Sequence, residues 1–299
     1  MKFVITGGAG FIGSNLVNKL VLEGNEVHII DNFSSGLKDN CNKNAVYHEI
    51  DISDSNNINK IQSILLGADT VFHLAAKARV QLSINEPLTY EKNNTFGTLN
   101  ILKASVDSKV RRVVYSSSSS VYGNTKKLPS KESDKISPIS PYALQKYYGE
   151  LLCKLFSELY NLETICLRYF NVYGENQILG GAYSTVIGIF IDQFNKGLPL
   201  TINGDGSQRR DFTYVGDVVN ANILSSKSKK AGYGEVINIG NGQSTSIIDL
   251  ANMIGKDFIF KKKLNEPFEN LADNSKAKNI LNWEPTMKLE KWLKLFLKT

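Results

Sequence analysis

Thr6-Gly7-Gly8-Ala9-Gly10-Phe11-Ile12-Gly13 decides how this chain is read. It follows a strand-like run, Lys2 to Thr6, and opens a helical pattern, Gly13 to Leu22, in which Ile12, Leu16 and Leu20 share one face. Glycines at 7, 10 and 13 permit a tight turn, let backbone approach a pyrophosphate, and put that anion at the positive end of a helix. A glycine triplet alone is a common turn; the strand before it and the helix after it give this one meaning. Asp31 ends the next strand-like run, Glu26 to Asp31, 18 positions after Gly13. An acidic side chain there hydrogen-bonds ribose hydroxyls and repels a 2′-phosphate, so the pattern predicts NAD rather than NADP. Asp51 closes a third run from Val46 and is expected near the adenine, or else as a helix cap.

Further along, Thr70 to Ala76 reads as a fourth strand, Pro87 to Val106 as a long helix and Arg111 to Ser118 as a fifth strand. Ser140 is a plausible N-cap for a helix over Pro141 to Tyr160, with proline in its first turn. Thr164 to Asn171 reads as a sixth strand. Strands separated by helices predict an α/β fold, a Rossmann-type doubly wound parallel sheet. Beyond Gly174 the rhythm changes: Gly180-Gly181 and Asn203-Gly204-Asp205-Gly206 break up shorter elements, with helices near Val215–Ser226 and Thr245–Ile254. The expected division is therefore 1–174, the dinucleotide-binding domain, and 175–299, a smaller C-terminal lobe with some segments returning to the first domain.

Composition narrows the function classes. Hydrophobic residues make up 42% and charged residues 21% of 299, which excludes a disordered or collagen-like chain. No apolar stretch approaches the roughly 20 residues of a membrane span. The N-terminal run carries no cleavage-site pattern, so a cytoplasmic protein is expected. Cys41, Cys153 and Cys166 are too few and too far apart for a disulfide framework or a zinc site, and no metal is expected. Lys+Arg 35 against Asp+Glu 29 leaves a net charge of +6. The lysines cluster at Lys227 to Lys230, Lys261 to Lys263 and Lys288 to Lys298 without interleaved aromatics, which argues against a nucleic-acid partner. A mildly positive field suits a small anionic substrate.

Tyr142-Ala143-Leu144-Gln145-Lys146 puts a phenol and an ammonium one turn apart on one helix face. A nearby cation favours the phenolate, so Lys146 is expected to lower the Tyr142 pKa and make it a general base. Upstream, the fifth strand ends in Ser116 to Ser120, a hydroxyl run at the strand end where open α/β sheets bind ligands.

With these residues in view, the sequence resembles the extended short-chain dehydrogenases/reductases of the NAD-dependent nucleotide-sugar epimerase/dehydratase family, within it the UDP-hexose 4-epimerases. The matching motifs span Gly7 to about Trp283 and include His73-Leu74-Ala75-Ala76, Gly97-Thr98, Val121-Tyr122-Gly123, Arg168 through Gly174, Arg210-Asp211-Phe212 and Ala272-Asp273. The resemblance implies a catalytic Ser118, Tyr142 and Lys146. It implies cofactor contacts at Gly7, Gly10, Phe11, Ile12, Gly13, Asp31, Asn32, Ser35, Gly36, Asp51, Ile52, Leu74, Ala75, Ala76, Asn94, Ser116 and Tyr169, joined by Tyr142 and Lys146. It implies substrate contacts at Lys77, Ser118, Tyr142, Asn171, Arg210, Lys263 and Asn270.

The implied chemistry is inversion at C4 of a UDP-sugar (UDP-glucose/UDP-galactose or UDP-GlcNAc/UDP-GalNAc) through a transient 4-keto intermediate, with NAD retained. Tyr142 takes the 4-hydroxyl proton, Ser118 holds that hydroxyl, and Lys146 holds the nicotinamide ribose. Arg210 is expected to clamp the diphosphate, or else to form a surface ion pair with Asp211. Where dehydratases of the family carry an Asp-Glu pair, this chain has Ser119 and Ser120, which cannot eliminate water. The family's Arg-x-Gly-Asp reads Lys263-Leu264-Asn265-Glu266 here, and lysine lacks the bidentate fork. UDP-glucuronate 4-epimerase or another dehydratase/reductase of the family is the alternative, and a non-catalytic NAD-binding regulator the reading from another class. A homodimer paired through Pro87–Val106 and Pro141–Tyr160 is also implied, with Leu151, Leu152, Leu155 and Phe156 as a compatible face.

Overall fold

Phe3 to Thr6 are buried without alternation, the mark of a parallel strand covered on both faces, and they form β1 (Lys2–Thr6). The structure, a computed structural model, describes residues 1–181, 184–263 and 266–297. After β1 come α1 (Phe11–Leu22), β2 (Glu26–Asp31), β3 (Val46–Glu49), α2 (Ile58–Leu65), β4 (Thr70–His73) and α3 (Val80–Asn85). Then α4 (Pro87–Glu91) leads through a π-turn, Lys92–Phe96, into α5 (Gly97–Asp107), followed by β5 (Arg112–Ser118), α6 (Pro141–Tyr160) and β6 (Glu163–Tyr169). The remainder is β7 (Val172–Tyr173), α7 (Val186–Asn195), β8 (Leu200–Asn203), β9 (Arg209–Asp211), β10 (Thr213–Tyr214), α8 (Val215–Lys227), β11 (Tyr233–Ile239), β12 (Ser244–Ser246), α9 (Ile247–Ile254), β13 (Phe258–Lys261), α10 (Ser275–Leu281) and α11 (Leu289–Phe296).

Seven strands form the main sheet in the order β11-β6-β5-β4-β1-β2-β3, each pairing parallel to its neighbour. The winding reverses between β1 and β4, which opens a crevice at the strands' C-terminal ends. One face is covered by α1, α8 and α10 through Leu16, Leu20, Val218, Ala277 and Leu281. The other is covered by α2, α5 and α6 through Ile61, Ile101, Leu152 and Phe156. A third core gathers α7, α9, α11 and β8 around Phe190, Leu200, Leu250 and Trp292, and forms the lobe over the crevice.

The differences from the sequence reading have local causes. β3 stops at Glu49, before Asp51, which accepts from the Ser53 N–H (2.8 Å) and hydroxyl (2.7 Å) and starts a turn. β4 stops at His73, because the Ala75 N–H leaves the ladder for the Thr6 hydroxyl. β6 stops at Tyr169, since Asn171 at φ +21° cannot extend the strand. The expected helix over Pro87–Val106 contains the π-turn, where Asn94 reaches the Lys77 backbone and Gln145. Beyond Gly174, α8, β11 and α10 return to the main sheet and its covering layer.

Candidate active site

The turn between β1 and α1 is built of backbone alone. Gly7 sits at φ +73°, and a Cβ on it would lie 2.7 Å from the Ala75 nitrogen; one on Gly13 would lie 2.1 Å from the Gly7 oxygen. Only glycine fits, and the fit brings the α1 N-terminus against the end of β4. Gly10 caps α1 without a side-chain acceptor, and no acidic residue occupies the first turn. The end therefore presents N–H groups and a positive dipole to an anion. Asp31 is buried, with one oxygen accepting from the Ala9 N–H (2.9 Å) and the other from the Phe33 N–H (2.8 Å). These features suit a dinucleotide: pyrophosphate on the glycine turn, ribose hydroxyls at Asp31.

A cavity of about 1250 Å³ starts at this turn, passes the ends of β4, β5 and β6, and continues under the lobe. Every site residue named from sequence lines it except Asp51 and Asn94. Asp51 lies between two wall residues, Ile50 and Ile52, with its carboxylate turned onto Ser53. Asn94 is buried and grips the Lys77 N–H (2.8 Å) and carbonyl (3.0 Å), so it shapes the loop after β4 from behind. Leu264 and Asn265, the middle of the Lys263–Glu266 stretch, and Lys298 fall outside the described residues.

At mid-cavity, α6 lies tight against β5. Gly149 makes this possible, because a Cβ there would come within 2.2 Å of the Tyr115 hydroxyl. Ser140 caps α6 through the Ala143 N–H (3.2 Å), as its sequence promised. Tyr142, Lys146 and Ser118 then face the same space. Lys146 Nζ donates to the Ser116 carbonyl (2.8 Å) and stands 5.0 Å over the Tyr115 ring; burial pulls its pKa down to about 8. The expected lowering of Tyr142 is not found. Burial raises its pKa, opposed by the Ser118 hydroxyl and the Arg79 charge, while Lys146 is turned to Ser116. His73 is sealed between the Thr6 (2.7 Å) and Thr98 (2.9 Å) hydroxyls, and burial lowers its pKa to about 3, so it stays neutral and structural.

A buried polar chain braces this wall. The Ser117 hydroxyl donates to Glu150, whose carboxylate takes Arg168 Nε (2.8 Å) and Nη2 (2.7 Å). Arg168 Nη1 donates to the Tyr122 hydroxyl (2.8 Å), which donates to Asn238 on β11 (2.7 Å). Sequence reasoning missed Glu150, although Tyr142, Lys146 and Glu150 recur every four residues on one helix face. It also missed Arg79, the second cation after β4, which lines the cavity.

At the lobe end, Arg210 pairs with Glu266 (2.9 Å), not with Asp211, and also donates to the Arg209 (2.8 Å) and Phe268 (3.2 Å) carbonyls. Asp211 is buried and accepts from the backbone of Asn241, Gly242 and Ala272. Asn171 donates to the Asp211 carbonyl (2.8 Å) and to Asn270 Oδ1 (2.9 Å). Among the described residues no helix is long and apolar enough to cross a membrane, and no group of three or more His, Cys, Asp or Glu could hold a metal.

A doubly wound sheet with a glycine turn, an acid ending β2 and a Ser–Tyr–Lys wall at mid-cavity defines a protein of the extended short-chain dehydrogenase/reductase class. The profile of the NAD dependent epimerase/dehydratase family matches residues 3–240; the chain belongs to that family, and its cofactor is NAD. It is 39% identical over 299 residues to a putative UDP-glucose 4-epimerase of Methanocaldococcus jannaschii, across 97% of this chain and 95% of the relative. The UDP-glucose 4-epimerase of Thermotoga maritima, solved with UDP-glucose, superposes with a TM-score of 0.95 at 38% identity, covering 100% of this chain and 98% of that one. A UDP-N-acetylglucosamine 4-epimerase of Methanobrevibacter ruminantium M1, solved in complex with UDP-N-acetylmuramic acid, gives 0.92 at 38%, covering 99% and 98%.

Proposed function

We propose that the chain interconverts the C4 epimers of a UDP-hexose and accepts the corresponding UDP-N-acetylhexosamines. The observation that carries this is Ser118, Tyr142 and Lys146 in one wall of a single cavity. The glycine turn and Asp31 stand at one end of it, Arg210 and Lys263 at the other. NAD, when bound, supplies the acceptor and donor of hydride at C4. Tyr142 takes the proton of the 4-hydroxyl and later returns it, with Ser118 hydrogen-bonded to the same oxygen. The Lys146 ammonium orients the nicotinamide ribose. Arg210 and Lys263 hold the diphosphate at the lobe end, leaving the sugar free to present either face. Ser119 and Ser120, both in the wall, carry no group able to eliminate water. The names of the Methanocaldococcus and Methanobrevibacter relatives, one for UDP-glucose and one for UDP-N-acetylglucosamine, support both substrate classes.

The functional unit we infer is a homodimer. Leu144, Tyr148, Leu151, Leu155 and Leu159 form an exposed stripe along α6, while Leu152 and Phe156, grouped with it on sequence, enter the core. Leu88 and Phe96 extend the stripe from the neighbouring helices, and a second copy of this face would cover it.

The test is incubation with UDP-hexoses, UDP-N-acetylhexosamines and UDP-uronates, with products followed by NMR. C4 epimers of the first two classes are expected. A 4-keto-6-deoxy product, or conversion of uronates alone, overturns the reading.

A further inference from the structure

Asp211 ends β9, where its neighbour Arg210 lines the cavity and its own side chain turns away into full burial. Both carboxylate oxygens are in use. Oδ1 accepts from the Asn241 N–H (2.8 Å), and Oδ2 from the N–H groups of Gly242 (3.0 Å) and Ala272 (3.0 Å). Asn241 and Gly242 follow β11 of the main sheet, whereas Ala272 closes the stretch that carries Glu266 and Asn270 along the cavity. One side chain therefore ties β9, the turn after β11 and the 266–272 stretch together where the lobe meets the sheet. The Asp211 backbone adds a second layer: its carbonyl accepts from Asn171 Nδ2 (2.8 Å), and its N–H donates to Asn270 Oδ1 (3.0 Å). Phe268, on the same stretch, accepts from the Arg209 N–H (2.8 Å) and from the Arg210 guanidinium (3.2 Å). We propose that Asp211 is the positioning residue of the nucleotide end of the site, fixing the backbone behind Arg210, Asn171 and Asn270 and thereby how tightly the UDP diphosphate is held.

The inference rests on the reading of Arg210 as the diphosphate clamp, and it gives Asp211 no contact with substrate or cofactor. A buried carboxylate is costly, and burial raises the Asp211 pKa to about 6 against the pull of its three N–H donors. Its chemistry explains why the position is acidic all the same. A carboxylate accepts on both oxygens, whereas an asparagine of the same size presents one acceptor and one donor. Turned with its oxygen toward Gly242 and Ala272, the amide of Asp211→Asn faces the Asn241 N–H donor to donor; turned the other way, it faces two. Either pose strands a buried N–H. The stretch that carries Phe268 and Asn270 then loses its register with β9, and the guanidinium loses its seat. Tyr142 and Lys146 stand on α6, outside these contacts, so the effect should fall on binding and spare the chemical step.

The experiment titrates UDP alone, by calorimetry, into NAD-loaded wild type, Asp211→Asn, Arg210→Ala and the double variant, with kcat and KM for the UDP-sugar measured alongside. Asp211→Asn should weaken UDP about tenfold, raise KM in step and leave kcat within about twofold. In the Arg210→Ala background the same change should cost less than about twofold, because the side chain it positions is gone. Wild-type affinity in a folded Asp211→Asn, or an equal loss in both backgrounds, overturns the inference. Unchanged affinity in Arg210→Ala overturns instead the clamp reading beneath it, so the two failures are distinguishable. If Asp211→Asn does not fold, amide exchange in the wild type decides. Binding at the clamp must stabilise what positions the clamp, so UDP should slow the Asn241, Gly242 and Ala272 amides more than those of β1. An equal effect on both sets overturns the inference.

Discussion

Two arginines, both almost buried, stand at opposite ends of the catalytic wall and are held in different ways. Arg168 is sealed behind β5: its side chain and that of Glu150 are each 3% exposed, and the fork is fully matched. Arg210 faces the cavity, two of its contacts are backbone carbonyls, and its ionic partner Glu266 is 38% exposed. A charge pair buried to that degree and matched on both carboxylate oxygens is framework. One whose partner stands partly in solvent can exchange that partner for a phosphate at small cost. The contrast separates what holds the site from what the site holds.

The largest effect should come from the wall between them. Tyr142→Phe removes only the hydroxyl proposed to transfer the proton, so kcat should fall by about 10²–10⁴-fold while NAD stays bound. Ser118→Ala should be milder. Wild-type rates in the phenylalanine variant, measured by coupled assay, would remove the basis for every role assigned at this wall.

Next in size is the framework pair. Glu150→Ala leaves a buried guanidinium uncompensated and should lower stability by about 3–5 kcal/mol, read by denaturant unfolding. Arg210→Ala should change stability by less than about 1 kcal/mol, because its ion pair is partly solvated. It should instead raise KM for the UDP-sugar about ten- to hundredfold, the worth of a charge-assisted contact. Equal stability losses in the two variants would erase the distinction between framework and ligand-binding arginine.

A smaller effect is expected at the glycine end. Asp31→Ala removes the carboxylate proposed to meet the ribose and should narrow the preference for NAD over NADP by about tenfold. Two backbone anchors, at Ala9 and Phe33, go with it, so cofactor retention should weaken as well. Equal use of both cofactors by the native chain would mean that Asp31 does not select.

What could be read in advance follows the same division. The glycine turn and the inner strands β1, β4, β5 and β6 were legible because backbone geometry restricts them: only glycine fits at Gly7 and Gly13, and parallel strands buried on both faces carry continuous apolar runs. β11 was not, because Gly234 and Asn238 interrupt its apolar run, its register shifts after Tyr233, and its partner β6 is distant in sequence. Tyr142 and Lys146 were legible as a helical pair. Arg79 and Glu150 were not, because their partners are supplied by tertiary packing. Asp51 and Asn94 stand beside the cavity wall, where the Asp51 carboxylate holds the turn at Ser53 and the Asn94 amide holds the loop at Lys77.

Asn270 sets the finest test: the resemblance makes it a substrate contact, and if it stands beside C2 of the sugar, its small amide leaves room for an N-acetyl group. It does line the cavity, but its Oδ1 is already the acceptor for Asn171 Nδ2 (2.9 Å) and the Asp211 N–H (3.0 Å). Replacing it therefore does two things at once: it strands two donors, which penalises every substrate, and it changes the space at C2. The ratio of kcat/KM for UDP-GlcNAc to that for UDP-Glc separates them. Asn270→Ala strands the donors without filling space, so both values should fall together, by about tenfold for a lost buried acceptor, and the ratio should hold. Asn270→Tyr fills the space as well, so the ratio should drop a further several-fold, the range expected of a steric pocket contact. If the tyrosine and alanine variants share one ratio, Asn270 serves only to hold Asn171 and β9, and the discrimination at C2 belongs to another part of the wall.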